Sequence, residues 1–237
     1  MAFLEILPDP NNRIADTGAN NWQAPEWSPG PGFANMTLTS NDKVMMNKTN
    51  TGRVITRKLA TQQWKVKISY NPLTRDEFEP VYNFLLYYGK LRPFYVKLPQ
   101  HKTSRNSSID TSVAAEATAA GAQFLVAKNF AANNASDKPR PGDMFTVNDS
   151  SDSLHQKVYR VLRVENPQAN QYEGTAPAAN TARIWTYPNI LRSISNNSTL
   201  DFTDPKMRVI MDKDVVSYSL NTDNLYKFDL QLTEALA

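Results

Sequence analysis

Apolar and polar residues alternate most regularly in two places along this chain. Trp64, Val66, Ile68 and Tyr70 are separated by Lys65, Lys67 and Ser69, which predicts a strand with one buried face. Tyr226, Phe228, Leu230 and Leu232 likewise share one face of a predicted terminal strand over 225–232. So regular a strand at a chain end is tied down by pairing, with the N-terminal barrel as the expected partner. Between the two lies a helical period. Phe78, Val81, Tyr82 and Leu85 line one face, Thr74 and Glu77 have the spacing of a capping box, Leu73 and Phe78 form a staple, and Gly89 ends the helix. Phe94, Val96 and Leu98 then resume period two until Pro99, so 51–99 reads as strand, strand, helix, strand.

The rest of the chain is less regular. Phe3 to Leu7 reads as a short strand, and 33–47 as extended chain, part of which forms a hairpin with 53–59. The Pro-, Gly- and Asn-rich stretch 8–33 carries Trp22 and Trp27. Rings of that size need cover, which points either to a loop tucked against its own barrel or to an arm docked on a neighbouring copy. From His101 to Gly121 the chain turns polar and then Ala-rich, which predicts a linker with one helical turn at Val113 to Ala120. Short strands follow at 123–126, 144–147, 157–165 and 182–186, with the turn Pro139 to Asp143 before the second. Further strands are expected at 200–202, 207–211 and 215–220.

These elements predict a mainly β protein. An N-terminal β-barrel or tube-like domain is braced by one helix, and a small antiparallel β-barrel or sandwich domain is inserted into it. The expected boundaries are an arm with first strands at 1–50, the core of the tube-like domain at 51–99, the insertion at 100–205, and returning strands at 206–237.

Composition narrows the chemistry. The formal charge is +3, with 21% charged residues among 237, and the basic residues are interleaved with acids rather than gathered in a stripe. There are no cysteines and two histidines, which excludes disulfides and thiolate chemistry and leaves little room for a metal cluster. No apolar run approaches about eighteen residues, and the first residues lack the pattern of a signal peptide, so a chain without membrane insertion is expected. His101 and His155 stand in polar surroundings with no nucleophile elbow nearby. Asp143, Asp149 and Asp152 lack calcium-loop spacing, and Asp76, Glu77 and Glu79 suit the first turns of a helix. No catalytic residue, metal or cofactor is expected. Two other readings stay open at this point. One is an OB-like nucleic-acid-binding protein, with Tyr159, Trp185 and Tyr187 stacking on bases and Arg160, Arg163 and Arg183 on phosphates. The other is a particle-associated cell-wall hydrolase, which needs a pocket with an Asp/Glu or His pair.

Certain residues carry a family pattern. Gly52-Arg53, Trp64-Lys65-Val66, the run Tyr70 to Phe78 (YNPLTRDEF), Phe84-Leu85 and Phe94-Tyr95-Val96 together resemble the N-terminal barrel of tailed-bacteriophage tail proteins, of the distal tail and baseplate-hub class. Pro141-Gly142-Asp143, the strand Lys157 to Val161 and the segment Ile184 to Arg192 are similar to an accessory β-domain of some such proteins. Tyr226 to Leu230, followed by Glu234-Ala235-Leu236, resembles their closing strand. The resemblance implies a structural virion protein, assembled in the host cytoplasm and located in the tail or baseplate. It implies a homo-oligomeric ring, commonly sixfold, at the distal end of the tail tube, with passive contact to DNA in the lumen. The implied partners are the tail tube protein, the baseplate hub and tail-fibre or receptor-binding proteins. The residues expected to face protein partners are Trp22, Trp27, Tyr159, Trp185 and Tyr187, while Thr74 and Glu77 serve only as a structural helix cap.

Overall fold

The computed structural model describes residues 5–9, 32–59, 61–168, 173–213, 217–221 and 223–236. In chain order the first elements are β1 (Phe33–Asn41), β2 (Val44–Lys48), β3 (Val54–Lys58), β4 (Gln63–Tyr70), α1 (Arg75–Tyr88) and β5 (Phe94–Lys97). Then come β6 (Ala114–Ala115), β7 (Phe124–Lys128), β8 (Met144–Asn148), β9 (Val158–Glu165), β10 (Ala182–Tyr187) and β11 (Ser198–Asp201). The last are β12 (Lys206–Met211), β13 (Ser219–Leu220), β14 (Tyr226–Lys227) and β15 (Asp229–Glu234). The chain divides into two compact units, Met1–Val96 with Arg208–Leu236, and Lys97–Met207. The mainly β architecture and the single bracing helix are as the sequence predicts.

The first unit is built on a five-stranded sheet in the order β1-β4-β15-β12-β5. The pairing of β15 with β4 sets Leu230 opposite Ile68 and Leu232 opposite Val66. Residues directly opposite share a face, and all four are buried. Lys65 and Lys67 point the other way and are exposed. Helix α1 buries Phe78, Val81, Phe84, Leu85 and Tyr88, the positions that a 3.6-residue period brings to one side. The Phe78 ring stacks on Tyr226 with centroids 4.4 Å apart, and Phe228 stacks on Tyr70 at 4.3 Å. The helix opens where expected. Glu77 Oε2 accepts both the Thr74 backbone N–H and the Thr74 hydroxyl, each at 2.8 Å.

The terminal strand departs from expectation. It is divided at Phe228: β14 pairs with β13, and only β15 joins the main sheet. Tyr226 and Leu73 exchange backbone hydrogen bonds at 2.8 Å, and Tyr70 N–H reaches the Phe228 carbonyl at 3.3 Å. The chain before Phe228 is thereby held against the entrance to α1. Of the short strand expected over 3–7, residues 5–7 are described, and there Ile6 forms a parallel bridge to Tyr95.

The second unit is a closed six-stranded barrel in the order β10-β7-β6-β11-β8-β9. Leu125, Phe145, Tyr159, Ile184, Leu200 and Phe202 fill it. Here the expected helical turn over 113–120 is corrected. Ala114 and Ala115 form β6, paired on one side with Lys128 and Ala127 and on the other with Thr199 and Ser198. Small side chains gave this segment no readable period, yet they let a strand pass through the barrel wall where Val113 and Ala115 are fully buried. Strand β9 carries apolar residues of both parities because its pairing with β10 shifts register between Trp185 and Thr186.

Candidate docking surfaces

The ribbon formed by β2 and β3 is exposed along its whole length. The β1–β4 ladder ends at Asn41 opposite Gln63, and the β2–β3 ladder starts at Val44 opposite Lys58. Two residues on one strand therefore face four on the other, an irregularity that separates ribbon from sheet. Every residue of β2 and β3 is exposed. Cross-strand pairing places Val44, Met46 and Val54 on one face with Lys48, Thr56 and Lys58, and Met45 and Ile55 on the other with Asn47 and Arg57. Met46 is 68% exposed. Lys43, Lys48, Arg53, Arg57 and Lys58 make the ribbon basic, and only Asp42, 3.5 Å from Lys58, offsets them. Gly52, at φ +83°, lets the tip turn back. An isolated two-stranded ribbon is marginal in water, and apolar residues on both of its faces mark it as a surface made to be covered.

The residues expected to face partners are distributed differently. Trp22 and Trp27 lie outside the described residues. Tyr159 does not face outward. It is fully buried in the barrel core, because the register of β9 turns it inward against Phe145, with ring centroids 5.7 Å apart. Trp185 and Tyr187 are half-buried on the outer side of β10. Trp185 is also bound to its own unit. Its Nε1 donates to Glu165 Oε1 at 3.1 Å, and its ring lies 5.1 Å from that of Phe124.

Glu165 is the centre of this surface, and sequence reasoning missed it. Its carboxylate is fully buried and accepts Arg183 Nη1 at 2.7 Å, Arg163 Nη2 at 2.8 Å and the Glu173 backbone N–H at 3.2 Å. Arg183 reaches on to the carbonyls of Glu173 and Thr175. Two of the three arginines assigned to phosphates in the nucleic-acid reading are therefore spent on one carboxylate. No local motif signals this hub, because Arg183 and Trp185 reach Glu165 only through the register of β9 with β10.

Several carboxylates of the second unit hold its loops in place. Burial works against the charged form of Asp143, but hydrogen bonds from the Ser104 hydroxyl, the Arg140 N–H and Arg105 outweigh it and hold its carboxyl below the usual range. Asp149 caps the backbone N–H groups of Ser151 and Ser195 at 2.8 and 2.7 Å, and Asp152 pairs with Arg192 at 2.5 Å. Among the described residues no group of three or more His, Cys, Asp and Glu is arranged to hold a metal ion. A cleft of about 520 Å³ in the first unit is lined by Lys213, Tyr218, Lys227, Phe228 and Asp229 among others, with Asp229 the one carboxylate and no histidine among its described lining. No helix of the described residues is long and apolar enough to cross a membrane.

Residues 20–101 match a family model described as distal tail protein pb9, A domain, N-terminal. The match spans the ribbon, β4, α1 and β5, and so takes in the first of the segments that carry the resemblance in the sequence, while those after residue 101 lie outside it. Over 233 residues the chain is 27% identical to distal tail protein pb9 of Escherichia phage T5, covering 97% of this chain and 99% of that protein. One similarity is local and the other runs along nearly the whole chain, and both are to distal tail protein pb9.

Proposed function

We propose that this protein forms a closed ring at the distal end of a tail tube and joins the tube to baseplate or receptor-binding components. The observation that carries this reading is the β2–β3 ribbon, with every residue exposed and large apolar side chains on both faces. Burial of apolar surface contributes about 25 cal/mol per Å², so the uncovered Val44, Met45, Met46, Val54 and Ile55 are stabilised by a neighbour laid over them. In a ring each copy offers the same ribbon to the next, a head-to-tail contact that closes on itself. The 51–99 segment then supplies the ring core, the 100–205 segment and the arm with Trp22 and Trp27 supply docking surfaces, and Trp185 and Tyr187 lie on such a surface. The work of the protein on this reading is geometric and not catalytic. Native mass spectrometry of the purified protein tests it. A discrete closed oligomer is the expected result, and a strictly monomeric protein at micromolar concentration with an intact fold overturns it.

A further inference from the structure

In the second unit, two guanidinium groups lie beside the turn Pro141-Gly142-Asp143. A Cβ placed on Gly142 would lie 3.3 Å from Arg105 Nη2 and 3.6 Å from Arg160 Nη2, so both cationic ends reach the same point beside the turn. The turn is fixed to β9, since Gly142 N–H donates to the Val161 carbonyl at 2.7 Å and Val161 N–H donates to the Asp143 carbonyl at 2.9 Å. Arg105 is held by its Nε, which donates to the buried Asp143 carboxylate at 3.2 Å. Its side chain is nonetheless 58% exposed. Arg160 is exposed on the outer side of β9, across from Tyr187 and Met144, and makes no ion pair among the described residues. The charge on Asp143 is already shared among Ser104, Arg105 and Arg140. His101 stands nearby. Burial and the positive charges of Arg160 and Arg105 outweigh the pull of Asp143 and keep its imidazole below its usual pKa.

We propose that Arg105 and Arg160 form a clamp across Gly142 for one carboxylate side chain of a partner protein. Guanidinium groups recognise carboxylates through short, charge-assisted hydrogen bonds, and two converging on one point select a single planar anion. A nucleic-acid strand fits the surroundings less well, because tracking a phosphate backbone takes a line of unpaired cations. Here Arg163 and Arg183 are paired with Glu165, Arg192 with Asp152, Lys138 with Asp137 and Lys97 with Asp204. The glycine has a double role: its φ of +101° suits the turn, and its missing side chain leaves free the point that both guanidiniums reach. The clamp does not depend on ring formation.

The test is a titration of the isotope-labelled full chain with sodium acetate at constant ionic strength, following the arginine Nε–H resonances. Saturable shifts at Arg105 and Arg160, with Arg163 and Arg183 unmoved, are the expected result. Arg160→Gln should keep the wild-type melting temperature and weaken acetate binding about tenfold, as loss of one charge-assisted bond implies. Non-saturating shifts, or equal shifts at all four arginines, overturn the clamp. The same titration with a short single-stranded oligonucleotide separates the sources of the anion. Tighter binding at Arg105 and Arg160 that weakens steeply with salt would overturn the carboxylate assignment in favour of nucleic acid.

Discussion

The Nε2 of His155 lies 2.8 Å from the hydroxyl oxygen of Tyr159, and that oxygen also accepts the Leu191 backbone N–H at 2.9 Å. The tautomer of the imidazole sets which of the two groups donates across that contact. Burial lowers the pKa of His155, and Arg192 adds to this, outweighing the opposite pull of Asp152 and Asp149. In the unfolded chain a histidine titrates near 6.5, so as pH falls the unfolded state takes up the proton first. His155 therefore leaves stability unchanged well above pH 6.5 and withdraws it as pH drops from there towards the folded pKa. The melting temperature of the wild type should fall more between about pH 7.5 and pH 5.5 than that of His155→Asn. Equal losses in the two proteins would refute the assignment.

The Glu165 hub makes an asymmetric prediction. Its carboxylate is fully buried, Arg183 is 16% exposed and Arg163 is 48% exposed. Removing the carboxylate with Glu165→Gln strands a nearly buried guanidinium, which costs about 3 kcal/mol. Removing Arg163 with Arg163→Gln deletes an exposed partner and costs less than about 1 kcal/mol. Urea unfolding followed by tryptophan fluorescence should separate the two variants, and similar midpoints would show that the hub does not organise the surface.

The ribbon should matter for assembly and little for folding. Met46→Glu combined with Ile55→Glu changes one side chain on each exposed face, 68% and 53% exposed respectively. Exposed substitutions of this kind shift stability by about 0.5 kcal/mol each. The double variant should melt close to the wild type and fail to form the oligomer in native mass spectra. An oligomer of unchanged size and concentration dependence would remove the ribbon from the interface.

Phe78 joins α1 to the segment that runs back into β15. Its ring lies 4.4 Å from Tyr226, 5.0 Å from Tyr218, 5.1 Å from Tyr82 and 5.4 Å from Phe228. Phe78→Ala should cost about 3–5 kcal/mol through lost burial and the cavity left behind. Amide exchange should accelerate most at Tyr226 and Leu73, whose mutual backbone bonds depend on that packing. A uniform acceleration over the first unit would argue against this local role.

What could be read from the sequence was what is encoded locally. Val66, Ile68, Leu230 and Leu232 announce their strands because one face is buried and the other wet, and α1 is marked by Thr74, Glu77 and its own period. Strand β6 could not be read, since two alanines have no period and their partners Ala127 and Ser198 lie far along the chain. Tyr159 was misjudged for a related reason: apolar residues of both parities on β9 conceal which of them faces inward until the register shift against β10 is known. Glu165 and the pairing of Arg105 with Asp143 likewise join residues that only the closed barrel brings together. The ribbon stood between these cases. Its hairpin was expected, while its exposure on both faces depends on what the rest of the unit does not cover.

In the sheet of the first unit, β5 and β12 are neighbours, and the whole barrel of the second unit is carried on the chain between them. Topologically that excursion occupies the place of a loop between adjacent strands. Such a position tolerates exchange: a gene could acquire, lose or replace the intervening module while strand order and the seat of the helix stay the same. The scaffold and the module carried on it would then stand under separate selection, the scaffold under the slower one.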